Sequence, residues 1–270
     1  MTSVLRHQLR SFLSSAAKRK ARLDGIRDAC RGYINGPLWR ALTAILSDRL
    51  TAVGIEPRGA LVEPDDGDPD GQTLLIWYPT TTPHSDYVRA AIKIESGAKS
   101  ALEPHEDVAI RPYVDDDLPG LDLTVQSVRT VDPKRTFWDK VIIVHGMRRW
   151  FDIRGEIRGG GQRVSRHYYD LYRLASAPIG ISAIADLELS ADCVAHARMF
   201  FNRPDFDLAS AVPGSFALIP HDIMVDKLRV DYRSMTGMIF GEPPAFDDVL
   251  AGVAMLERGL NEASRFWHHT

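Results

Sequence analysis

The stretch AAIKIESGAKS, Ala90–Ser100, has the period of a β-strand, with Lys93 and Glu95 on one face and Ile92 and Ile94 on the other. Its neighbours repeat that signal. Gly59–Val62, Thr73–Tyr78, Val88–Ile94 and Ala109–Tyr113 are short runs of β-branched and aromatic residues, and Leu123–Val128 alternates. Between the first two runs, residues 63–71 read EPDDGDPDG, a dense cluster of turn formers. Together these segments predict one small, mostly antiparallel sheet.

Helical patterns flank the sheet. Upstream, Ser3–Val53 is rich in Ala and Leu, with Ile34, Leu38, Leu42, Ile45 and Leu46 recurring at three- and four-residue spacing and Gly54 as a stop. Asn35-Gly36-Pro37 is expected to separate two helices there, with Pro37 in a first turn. Downstream, Thr136–Met147 reads as a helix, followed by the Gly/Arg-rich segment MRRWFDIRGEIRGGGQRV, whose Gly159–Gly161 run is expected to be a mobile loop. Ser165 then reads as the N-cap of SRHYYDLYRL. Further helices are predicted at Ser190–Phe201, His221–Met238 and Phe246–Glu262, the last two broken apart by Gly241-Glu242-Pro243-Pro244. The fold class is α+β. Residues 1–131 would hold the first helices and the sheet, and 132–270 a helical region.

The 270 residues, 44% hydrophobic and 26% charged, exclude a disordered or low-complexity chain. Cys30 and Cys193 lie far apart without metal-ligand spacing, so neither a disulfide framework nor a zinc site is indicated. No apolar run approaches the roughly 20 residues of a membrane span, and MTSVLRHQLRSFLSSAAKRK has no long apolar core with a cleavage site. A cytoplasmic protein with no membrane partner is expected. The net charge of -3 is unevenly spread: residues 1–53 carry +7, residues 54–131 carry -9, and 134–173 are again basic, with 10 positive against 4 negative groups. Such basic stretches suit phosphates, and equally suit a solvated helix face or docking on the acidic segment.

Three features carry candidate chemistry. Glu95 reads either as one carboxylate of a divalent-metal site or as part of a solvated face with Lys93. Lys140 shares a helix face with Val144, so it reads as a phosphate-binding point charge in a cleft or as a surface salt-bridge lysine. Arg166, Asp170 and Arg173 stand at i, i+4 and i+7, which places the carboxylate between guanidiniums, either as helix-surface electrostatics or to orient a lysine or nucleotide. The histidines His145, His167 and His196 stand singly, and His268-His269 lie in the tail; none has HExxH spacing. There is no GxxxxGK[ST] loop and no GxSxG elbow.

Taken in order, AAIKIESGAKS, RTFWDKVIIVHG (Arg135–Gly146), SRHYYDLYRL (Ser165–Leu174) and DYRSMTGMIFGEPPAF (Asp231–Phe246) resemble the nucleotidyltransferase toxins of the AbiEii/AbiGii type. DGDPDGQTLLIWYP (Asp66–Pro79) fits that family's sheet entry, and the resemblance runs from about Ala17 to Asn261. It implies a polymerase-β-like nucleotidyltransferase fold, a nucleoside triphosphate with Mg²⁺, an RNA acceptor such as the end of tRNA, and a cognate antitoxin. By motif matching it places Glu95 as the third carboxylate of the metal site, Lys140 as the triphosphate lysine, and Asp170 as the acidic residue of the last motif; Arg166, one turn from Asp170, is the further candidate for binding the nucleotide.

One departure stands out. The family's Gly-Gly/Ser turn and Asp-x-Asp pair have no counterpart in residues 1–53, whose carboxylates Asp24, Asp28 and Asp48 sit in a helical pattern. Asp66/Asp68 and Asp68/Asp70 have the spacing, but they belong to the turn. The fold is therefore expected to be N-terminally incomplete, since a lone Glu95 cannot hold two Mg²⁺ ions. The alternative is a catalytically inactive remnant that binds RNA or an antitoxin partner.

Overall fold

A computed structural model describes residues 18, 20–56, 61–79 and 89–262. The parts of the expected elements before residue 18, at Gly59 and Ala60 and at Val88, and the His268-His269 pair, lie outside the described residues. The chain forms two compact units, one running to Ser100 and one from Ala101. Both α and β structure are present, so the α+β class holds.

In the first unit, helix α1 (residues 20–33) runs through a π-helical segment, Ile34–Leu38, directly into α2 (Trp39–Ala52). The expected break at Gly36-Pro37 is thus a widened turn. Proline has no N–H to donate and crowds the carbonyl one turn back, and the wider π turn makes room for it. Asn35 anchors the bulge, its Nδ2 donating to the Gly71 carbonyl at 2.6 Å and the Arg31 carbonyl at 3.1 Å. Three antiparallel strands follow: β1 (Val62–Pro64), β2 (Thr73–Trp77) and β3 (Ala91–Glu95), in that spatial order. Register pairs Leu74 with Ile94 and Thr73 with Glu95. Ile34, Val62 and Leu74 form the buried centre, with Leu38, Leu42, Leu46, Ile76 and Ile94 packed on it, so the helical stripe meets one sheet face.

The second unit begins with a hairpin of β4 (His105–Ile110) and β5 (Val125–Val131). These strands pair only with each other, so among the described residues there are two antiparallel sheets where one was expected. Six helices follow: α3 (Pro133–Arg154), α4 (Ser165–Ser176), α5 (Pro178–Ala185), α6 (Leu187–Phe200), α7 (Asp222–Met235) and α8 (Phe246–Glu262). Helix α3 is longer than expected and takes in MRRWFDIR. Asp132 caps its start by accepting from the Lys134 N–H at 2.7 Å, and it ends at Gly155, whose φ of 67° is the left-handed cap glycine tolerates. Helix α5 was not expected; at its Gly180 a Cβ would come within 2.5 Å of the Leu174 carbonyl, so glycine there permits a close helix approach rather than a loop. Phe137, Trp138, Val141 and Val144 of α3, Tyr168 and Leu171 of α4, Leu228 of α7 and Val249 and Val253 of α8 form the core. No helix among the described residues is long and apolar enough to cross a membrane.

Candidate functional site

Lys140 lies midway along α3, between the core residues Phe137, Trp138 and Val141. Its side chain is 23% exposed, and its Nζ donates to Asp170 Oδ2 on α4 at 2.6 Å. His167, one turn before Asp170, brings Nδ1 within 3.4 Å of the same ammonium. Burial above all, and then the charges of Lys140 and Arg166, push the His167 pKa down from 6.5 to about 4. The ring is therefore neutral at pH 7, with Nδ1 accepting from Lys140 and Nε2 carrying the proton.

Helix α4 is fixed in a manner its sequence does not advertise. Ser165 is its first residue, and the cap comes from Asp231 of α7, which accepts from the Ser165 N–H at 2.8 Å, the Ser165 hydroxyl at 2.6 Å and the Arg163 N–H at 2.6 Å. On its far side, Tyr172 lies where a Cβ on Gly252 would come within 2.5 Å of the ring, so α4 and α8 approach closely. These contacts hold His167 and Asp170 toward Lys140.

The expected sandwich of Asp170 between Arg166 and Arg173 is absent: Asp170 pairs with Lys140, and among the described residues neither arginine makes an ion pair. Arg166 is exposed one turn before Asp170. The structure thus brings Lys140 and Asp170 together, adds His167, and leaves Arg166 as a free cation on the same helix. His167 escaped the sequence reading because only the pairing of α3 with α4 gives it a partner; its HxxD spacing to Asp170 was the available signal.

Glu95 belongs to the first unit, at the end of β3, where it is 71% exposed and pairs with Lys93 at 2.7 Å. Lys93 and Glu95 do share a face, and Lys93 also reaches Asp65 at 3.6 Å. Two of the EPDDGDPDG carboxylates, Asp65 and Asp68, are held by nearby groups, and Asp70 pairs with Lys99. Asp65 accepts from the Gly67 N–H and pairs with Arg89, while Asp68 accepts from the Asp70 and Gln72 N–H groups and the Thr73 hydroxyl, which holds both acids below the usual range. Among the described residues no group of three or more His, Cys, Asp or Glu is placed to hold a metal ion. One lysine-paired carboxylate does not supply the oxygen shell that Mg²⁺ requires, so these residues do not fit a two-metal centre.

An α+β protein with a lysine poised between a carboxylate and a neutral histidine on paired helices has a site suited to anions. Over residues 11–252 the chain matches the family described as nucleotidyl transferase AbiEii toxin, type IV toxin–antitoxin system, and it belongs to that family of nucleotidyltransferase toxins. No curated protein and no solved structure matches it.

Proposed function

We propose that the chain binds a nucleoside triphosphate at the Lys140 cluster and transfers its nucleotide to RNA, the acceptor end of tRNA being the acceptor, on a polymerase-β-like fold in the cytoplasm. The observation that carries this reading is the position of Lys140: a half-buried ammonium with directed partners in a member of a nucleotidyltransferase family. Phosphoryl-type transfer depends on positioning and charge stabilisation more than on covalent help. Lys140 meets the triphosphate, exposed Arg166 adds a second positive charge, and Asp170 keeps the ammonium in place until phosphate competes for it. Neutral His167 accepts from Lys140 without adding a charge that would repel it. Glu95 is the carboxylate this reading assigns to Mg²⁺; because the residues around it do not complete a coordination shell, no step is routed through the ion. As a toxin of a toxin–antitoxin family, the chain would be paired with a cognate antitoxin.

The pairing of Glu95 with Lys93 favours a second reading, in which the protein binds RNA or its antitoxin without transferring a nucleotide. The two separate in one assay. Purified protein is incubated with total tRNA, Mg²⁺ and each α-labelled nucleoside triphosphate in turn, and label is read in the RNA. The first reading expects incorporation from one or more triphosphates; RNA binding with no incorporation from any of them overturns it in favour of the second.

A further inference from the structure

The segment after α3 carries a second cationic feature, separate from Lys140. Arg158 opens a 3-10 turn, Arg158–Gly161, and its guanidinium carbon lies 5.3 Å from the centre of the Phe206 ring. Phe206 closes another such turn, Pro204–Phe206, and Arg203 immediately precedes it in extended conformation. Beneath them the Trp150 and Phe206 rings lie 5.8 Å apart, and Arg154 stands 5.5 Å over Trp150. Two neighbouring aromatic rings thus each carry a guanidinium.

The carboxylate between Arg203 and Phe206 is already taken. Asp205 accepts from Arg154 Nη2 at 2.6 Å and from Nε at 2.7 Å. Among the described residues Arg158 and Arg203 make no ion pair with a carboxylate. Partial burial first, and then the like charge of Arg203, hold the Arg158 pKa below that of an ordinary arginine. An anion at this place would relieve that repulsion, and the planar fork of arginine suits phosphate oxygens. Gly159 and Gly160 follow with φ of 66° and 71°, and a Cβ on either would meet nothing within 4 Å, so the backbone here is open to close approach by a ligand.

The phosphate is that of the RNA acceptor, a polyanion that the proposed reaction requires the protein to hold.

We infer that Arg158 and Arg203, with Phe206 as the platform under Arg158, form a phosphodiester-binding site for the backbone of an RNA. The inference rests on the reading of an RNA acceptor and locates where its backbone is held. The test is an anisotropy titration of fluorescently labelled tRNA with the full chain, without nucleotide, over a series of salt concentrations. Arg158→Gln, Arg203→Gln and the double variant are compared with Arg129→Gln, a control on β5 far along the chain and paired with Asp107. Each single variant is expected to weaken binding three- to tenfold at low salt. The double variant should lower the slope of log affinity against log salt by between about 1.4 and about 1.8, the loss of two phosphate contacts. Arg129→Gln should match the wild type. A double variant with wild-type affinity and slope, a wild-type chain that binds no tRNA at low salt, or equal loss in Arg129→Gln would overturn the site. Binding to phosphatidylserine vesicles that is as tight as binding to tRNA and equally sensitive to the double substitution would overturn RNA as its ligand. Because no triphosphate is present, failure here is distinct from failure of nucleotide transfer, which the incorporation assay reads.

Discussion

Lys140 on α3 and Asp170 on α4, thirty positions apart in sequence, meet at 2.6 Å, and His167 reaches the same ammonium at 3.4 Å. The site is therefore a product of helix pairing, and its partners can be separated by substitution.

Asp170→Asn removes the carboxylate but keeps the shape. The pair is partly exposed, at 23% for Lys140 and 35% for Asp170, so its loss should cost about 1 kcal/mol of stability or less. Nucleotide transfer should fall about tenfold or more, since the ammonium loses its fixed position. Urea unfolding and the incorporation assay, run side by side, check this; a fall in transfer matched by an equally deep loss of stability would mark the pair as structural.

The pH dependence follows from His167. Burial, with Lys140 and Arg166, holds its pKa at about 4 in the folded chain, against 6.5 when free. Between those values the unfolded chain binds the proton and the folded chain does not, so the stability is fully present above 6.5 and is lost as pH falls towards 4, by roughly 3 kcal/mol. Burial lowers His145 as well, with the same sign. His167→Gln, whose amide oxygen can still accept from Lys140, should flatten part of this decline in urea midpoints measured from pH 7.5 to pH 4.5. A profile that overlays the wild type would assign the decline to other groups.

Asp231→Ala strips the start of α4 of an acceptor that holds two backbone N–H groups and the Ser165 hydroxyl. A loss of about 2 to 3 kcal/mol is expected, because a buried cap is removed and its donors are left unpaired. Ser165→Ala should cost less, roughly 1 kcal/mol, as only the hydroxyl bond goes. Equal effects in urea unfolding would mean that Ser165 itself is the cap.

Gly252→Ala places a methyl against the Tyr172 ring, where 2.5 Å of space is too little. Overpacking of this kind costs about 1 to 3 kcal/mol. In a Tyr172→Ala background the same substitution should be near neutral, a coupling that a double-mutant cycle measures directly. Additive effects would show that the two residues do not touch.

How far the sequence leads depends on whether a residue's partner is near it in the chain. The alternation of Ile92–Glu95 sets the face of β3 without any other element, and Phe246, Val249, Val253, Leu256 and Leu260 mark α8 at its observed bounds, all five buried. Where a partner is distant, the reading fails. Pro37 looks like a helix break until Gly71 is seen to hold Asn35, and Ser165 looks like a cap until Asp231, 66 positions on, takes that role. Lys140 and Asp170 stood out through family motifs, whereas His167 did not, because neutrality and contact with Lys140 come only from burial between helices. The helical extension to Arg154 was hidden by the polar run MRRWFDIR, whose arginines are held by distant groups such as Asp205 and the Ser215 carbonyl.

The most direct test of the central claim is incorporation of α-labelled nucleoside triphosphate into total tRNA by the wild-type chain and by Lys140→Ala, with unfolding midpoints measured on the same preparations. Wild-type incorporation that drops at least about tenfold in Lys140→Ala, with little change in the midpoint, is the predicted result. Incorporation that is undiminished in Lys140→Ala would contradict the assignment of the triphosphate to this cluster.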